Sequence, residues 1–161
     1  RFDRKTKRGW HMSKKIFIII ILIFAIFVFA GSLFLAKKNN NFYKKISLGD
    51  VVLKTEIALS PLEKQKGLSG RNYMGENNAI LFVFSQPGSY PFWMKDMEFP
   101  IDIIWLNDNL KIINVEKNVS PKTYPEEFLP HLPAKFVLEV NGGWSDKNKI
   151  KEGMKALILN E

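Results

Sequence analysis

The chain has no cysteine and only two histidines in 161 residues. Without thiols there are no disulfides, no thiol catalysis and no thiolate metal sites. His11 lies in the basic leader and His131 in a proline-rich stretch, so no histidine cluster can be built for zinc or copper. A Gly-x-Ser-x-Gly elbow, a glycine-rich phosphate loop and a dinucleotide fingerprint are also missing, and no cofactor or metal is expected. Ser69, between Leu68 and Gly70, has no histidine base nearby and little claim as a nucleophile. Carboxyl groups, cations and aromatic rings are what remains for chemistry.

Positive charge is abundant, at net +8 with a pI near 9.6, but it is unevenly placed. Residues 1–15 carry seven Lys/Arg against one Asp, and Lys37, Lys38, Lys44 and Lys45 follow the apolar run that comes next. The remaining 13 Lys/Arg are outweighed by 15 Asp/Glu. A folded part of net −2 lacks the footprint that phosphate backbones require, so nucleic acid is not an expected partner.

Ile16 to Ala36 is almost unbroken apolar sequence, long enough to cross a hydrocarbon core of about 30 Å as a helix. The sequence therefore divides into a basic cytoplasmic leader (1–15), a transmembrane signal-anchor (16–36), a juxtamembrane linker (37–45) and a soluble domain (46–161). Val28-Phe29-Ala30 offers a small-residue cleavage site, but the length of the run favours an uncleaved anchor. The full basic leader favours a cytoplasmic amino terminus, whereas initiation at Met12 would leave only Lys14 and Lys15 ahead of the run. The expected location is the cytoplasmic membrane, single-pass, with the C-terminal domain outside it.

From Ile46 on, short runs read as strands: Val51–Leu59, Ala79–Phe84, Ile101–Leu106, Leu110–Glu116, Lys135–Asn141 and Met154–Leu159. Ser60-Pro61-Leu62-Glu63 is a capping box with proline at the first helical position, which predicts a short helix stopped by Gly67. A second helix is expected at Trp144 to Ile150. The four prolines from Pro121 to Pro133 predict an irregular excursion. Strands following one another with few helices favour a mainly β fold, a compact antiparallel barrel-like or sandwich-like sheet.

Two acids stand out because they fall inside apolar strands. Alternation places Asp102 on one face with Ile104 and Leu106, opposite Ile101, Ile103 and Trp105. Glu139 shares its face with Val137, opposite Phe136, Leu138 and Val140, unless it lies at an exposed edge. A buried acid needs a partner or takes up a proton, and Arg71 and Lys95 are the expected partners. With Trp93 they outline a candidate ligand site of Arg71, Trp93, Lys95, Asp102 and Glu139, for an anionic or sugar-like ligand. Alternatively, Asp102 and Glu139 flank a glycosidic bond as acid and base, or the ionic pairing only fixes strand register.

Gly67-Leu68-x-x-Arg71, Ala79-Ile80-Leu81-Phe82-x-Phe84, Phe92-Trp93-Met94-Lys95, Pro100-Ile101-Asp102-Ile103 and Val137-Leu138-Glu139 stand in an order and spacing that resembles domain-of-unknown-function family 192 (DUF192) from about Val51 to Leu159. The resemblance implies a compact, mainly β domain, often behind an export signal or single span, with no established activity. Lys95-Asp96-Met97 departs from that family's usual Lys-Asn-Thr, and Ala79-Ile80 from its Gly-Met. The expected function is a membrane-anchored extracytoplasmic module binding a small molecule, a glycan or a partner. An envelope carbohydrate hydrolase and a structural accessory protein are the alternatives.

Overall fold

The computed structural model describes residues 16–20, 22–26 and 43–159. The chain divides into two units, residues 1–40 and 41–161. In the first, residues 16–20 and 22–26 are helical with exposed side chains. The predicted leader lies outside the described residues, as does the rest of the predicted membrane segment. Among the described residues no helix is long and apolar enough to cross a membrane.

The second unit is mainly β. β1 (Tyr43–Leu48) starts three residues ahead of the predicted boundary at Ile46 and turns through Gly49, at φ +60°, into antiparallel β2 (Val51–Ala58). The capping box then forms as expected. Ser60 Oγ accepts from the Glu63 N–H at 3.2 Å, and the Glu63 carboxylate accepts from the Ser60 N–H at 2.8 Å. The helix it starts, α1 (Pro61–Lys66), ends where Gly67 follows. This short crossover lets β3 (Asn78–Gly88) run parallel to β2, with Thr55 opposite Ala79. The sheet is thus mixed rather than wholly antiparallel.

β4 (Ile101–Leu106) and β5 (Ile112–Val119) form the predicted hairpin, whose turn is tied by the Asn109 and Lys111 N–H groups donating to Asn107 Oδ1. A 3₁₀ turn at Pro121–Thr123 begins the proline-rich excursion. β6 (Ala134–Asn141), α2 (Trp144–Lys147) and β7 (Ala156–Leu159) complete the unit. Strand order is β5-β4-β6-β3-β2-β1-β7. The edges meet at one end, where the Ala156 N–H donates to Leu110 O and the Ile112 N–H to Met154 O. The sheet therefore curls into a half-barrel.

Period-two alternation distributes two cores over the two sheet faces. One contains Leu81, Ile104, Leu106, Leu138, Val140 and Trp144. The other contains Phe82, Ile101, Ile103, Trp105 and Val137, with Phe84, Phe92 and Phe128 packed against it. β6 lies between β4 and β3, so Glu139 is central and 5% exposed, not at an edge.

Candidate functional site

On the face of the second core lies an open cleft of about 360 Å³. One side is the end of α1 with the turn after it, including Lys64, Lys66, Gly67 and Ser69. The other is the Tyr90–Trp93 segment. Ser69 Oγ donates to Lys95 O at 2.8 Å and the Gly70 N–H donates to Asp96 O at 2.8 Å, which fastens the two sides together. Reciprocal N–H···O bonds between Phe92 and Phe128, at 3.0 and 2.7 Å, brace the aromatic side from behind.

The walls are aromatic. Phe84 and Tyr90 stack with ring centroids 3.6 Å apart and planes 7° from parallel, and Tyr90 Oη donates to Gln86 O at 2.8 Å. Gly88 permits this fold-back, because a β-carbon there would stand 3.0 Å from Tyr90 Cζ. Phe92 meets Phe82 edge-on at 4.9 Å and Trp105 at 6.1 Å. Trp93 is 46% exposed at the rim, unlike the buried Trp105. Lys64 Nζ sits 4.8 Å above the Phe84 ring, close enough for a cation–π contact.

Among the described residues, Glu139 is the one carboxyl group lining this cleft. Its Oε2 is buried and has no hydrogen-bond partner among the described residues. Burial pushes the group up to about 8, against a smaller opposing pull from the Arg71 guanidinium. It is therefore mainly a neutral carboxylic acid at pH 7, able to donate as well as accept. Trp105 Nε1, on the same sheet face, is likewise buried and unpartnered. Gly67, at φ +47°, lies over the acid. A β-carbon there would come within 3.2 Å of Phe82 Cζ and 3.9 Å of Glu139 Oε2.

The five residues expected to share a site are dispersed. Trp93 and Glu139 line the cleft. Arg71 forms a bidentate pair with Glu56, at 2.6 and 2.7 Å, rather than with Asp102. That bond raises the guanidinium further above its ordinary range, more than burial lowers it. Lys95 is exposed, and its backbone carbonyl, not its ammonium, does the bracing.

Asp102 is fully buried on the opposite sheet face. Its Oδ1 accepts from the Asn118 and Gly143 N–H groups at 2.7 and 2.8 Å, and its Oδ2 from the Ser145 N–H at 2.6 Å. Gly143 is the N-cap residue of α2 and has no side chain for the task, so Asp102 caps that helix from a distant strand. The expectation of a basic partner for Asp102 is thereby corrected.

The expected acid–base pair is overturned too. Register sets Asp102 opposite Val140 and Glu139 opposite Ile103, so the two carboxyl groups point to opposite faces of one sheet. No substrate could lie between them. Lys64, Gly67, Ser69 and Tyr90 were missed as cleft residues. The Gly-Leu-Ser-Gly turn after the capping box was their sole sequence signal.

Two solved structures share the fold. One is a proposed transcription regulator from Sinorhizobium meliloti 1021, at 22% identity and TM-score 0.70, with 73% of this chain and 95% of that one covered. The other is a protein of unknown function from Novosphingobium aromaticivorans DSM 12444, at 26% identity and TM-score 0.70, with 75% and 89% covered. No curated protein matches. The family model DUF192, described as uncharacterized ACR, matches residues 44–158, which carry both the buried Asp102 and the cleft. The chain belongs to the DUF192 family.

Proposed function

We propose that the domain is a small-molecule-binding module whose ligand presents a ring to the aromatic walls and a hydrogen-bonding group to Glu139. The observation that carries this reading is the unpartnered, buried Glu139 Oε2 in an aromatic cleft. Leaving a buried polar atom unpaired costs about 1–3 kcal/mol, a cost that a ligand bond offsets. Concave, largely apolar sites with a few convergent polar groups are where small molecules bind.

The experiment is a fragment screen by ¹⁵N-¹H NMR on the full chain. Ring compounds bearing hydroxyl or amide groups are expected to shift the amides of residues 64–69, 90, 92, 93 and 139 together. The Trp93→Ala variant should weaken the hits about 5- to 20-fold, in line with loss of one aromatic contact. Hits that cluster elsewhere, or that ignore Trp93→Ala, would refute the cleft as the site.

The apolar run from Ile16 to Ala36 supports a membrane tether, and the seven Lys/Arg ahead of it support a domain on the outer side. A reporter that is active only outside the cytoplasm, fused after Glu161, should be active. Activity from a cytoplasm-only reporter at the same junction would reverse this orientation.

A further inference from the structure

The charge pattern of the cleft narrows the ligand class. Two lysines, Lys64 and Lys66, line the α1 side, and among the described residues no acid other than Glu139 lines the cleft. Lys64 is placed by the Phe84 ring, and no ion pair engages Lys66 among the described residues. An aromatic cage for a quaternary ammonium surrounds its guest with rings and avoids such cations, so a cationic ligand is disfavoured. An uncharged floor beneath a positive rim fits a ligand polarised the other way. Its uncharged hydroxyl edge points inward and its anionic substituent points outward.

The walls add a shape requirement. The Tyr90 ring stacked on Phe84 and the half-exposed Trp93 offer flat apolar faces in an open cleft, not an enclosed pocket. A sugar ring has an apolar C–H face for such a surface and hydroxyls around its edge that both donate and accept. A protonated carboxyl group matches a hydroxyl in both senses. An unsubstituted planar aromatic acid such as benzoate could use the walls, but it has no hydroxyl for Glu139.

From this geometry we infer that the cleft binds an anionic saccharide, with its ring against Tyr90 and Trp93, a hydroxyl on Glu139, and its carboxylate or phosphate on Lys64 and Lys66. The inference rests on the cleft being a ligand site and specifies what enters it. The anion comes from a sugar acid or from a sugar phosphate. Both present the same ring-plus-anion pattern, and the test separates them.

The test titrates the full chain by NMR with methyl glucuronide, glucose 6-phosphate, neutral methyl glucoside, inorganic phosphate and phenyltrimethylammonium. One or both anionic sugars should shift the cleft amides and bind about five- to tenfold tighter than methyl glucoside at low salt, the gain two exposed ion pairs allow. That advantage should shrink at about 0.5 M salt, where exposed charges are screened, and vanish in the Lys64→Gln/Lys66→Gln double variant. Which anion wins identifies the source. Glu139→Gln, which keeps an uncharged donor and acceptor, should bind nearly as wild type, while Glu139→Leu should lose at least about tenfold, the worth of one buried hydrogen bond. Thermal melts establish that each variant folds, and Glu139→Gln serves where Glu139→Leu does not. If methyl glucoside or phenyltrimethylammonium binds in the cleft as tightly as the anionic sugars, the inference falls and the cleft remains a ligand site. If inorganic phosphate alone matches them, the ring is irrelevant and the saccharide assignment falls. If no ring probe of any charge shifts the cleft, the saccharide inference falls, and the fragment screen decides separately whether the cleft is a ligand site.

Discussion

Ser145 donates its backbone N–H to Asp102 Oδ2 at 2.6 Å, in a corner where both residues are fully buried. Three segments remote in sequence, at Asp102, Asn118 and Gly143–Ser145, are joined there by one carboxyl group. Asp102→Asn puts an amide NH₂ against N–H donors, and it should destabilise the fold by about 2–4 kcal/mol, as expected for orphaned buried donors. Urea denaturation measures this. A variant with wild-type stability would show that the carboxyl is not the lock of this corner.

Arg71 and Glu56 form a second, weaker clasp. The side chains keep 31% and 17% of their exposure, so solvent screens part of the attraction. Arg71→Lys loses the fork geometry and should cost about 1 kcal/mol. A double-mutant cycle with Glu56→Gln should return a coupling of about 0.5–1.5 kcal/mol. A coupling of zero would mean that the bidentate pair adds nothing to stability.

Glu139 makes stability depend on pH in a defined direction. Its folded value, about 8, is above the ordinary 4.5, so between these limits the folded state holds a proton that the unfolded state has released. Stability from this group is full below about pH 4.5, falls as pH rises toward 8, and then levels. The slope from one such proton reaches about 1.4 kcal/mol per pH unit. Glu139→Gln should remove that slope and raise stability at pH 8. Parallel wild-type and variant profiles from denaturation at pH 5 to 9 would contradict the assignment.

Gly67 and Gly70 both have positive φ, but only Gly67 is crowded. Gly67→Ala should cost about 1–3 kcal/mol through backbone strain and also press on Phe82, with Glu139 Oε2 left at ordinary contact distance. Gly70→Ala meets nothing within 4 Å and should cost less. Equal losses in thermal melts, with ligand binding untouched in both, would mean that Gly67 does not shape the cleft.

Much of the fold could be read in the sequence where a local rule governs it. The alternation of Ile101 to Leu106, the capping box at Ser60 and Glu63, and the Asn107-Asp108-Asn109 hairpin each depend on neighbouring residues, and each forms as expected. The parallel pairing of β2 with β3 was hidden, because a six-residue helix is short for a crossover. The partners of Asp102 were hidden for another reason. They are main-chain N–H groups at Asn118, Gly143 and Ser145, which leave no side-chain signature. Arg71 and Lys95 were the basic side chains in view, yet one is taken by Glu56 and the other is exposed. Glu139 was legible as a misplaced acid, but not as the only one of the two buried strand acids that faces a cleft.

The most direct measurement follows the ¹³C resonance of the Glu139 side-chain carboxyl group in the full chain, assigned by its loss in Glu139→Gln. With no ligand it should titrate near pH 8, and at pH 7 methyl glucuronide or glucose 6-phosphate should move it saturably, in step with the amides of Tyr90 and Trp93. A carboxyl that titrates near 4.5, or that stays still while those sugars bind, would contradict the account of Glu139 as the ligand-reading group of the cleft.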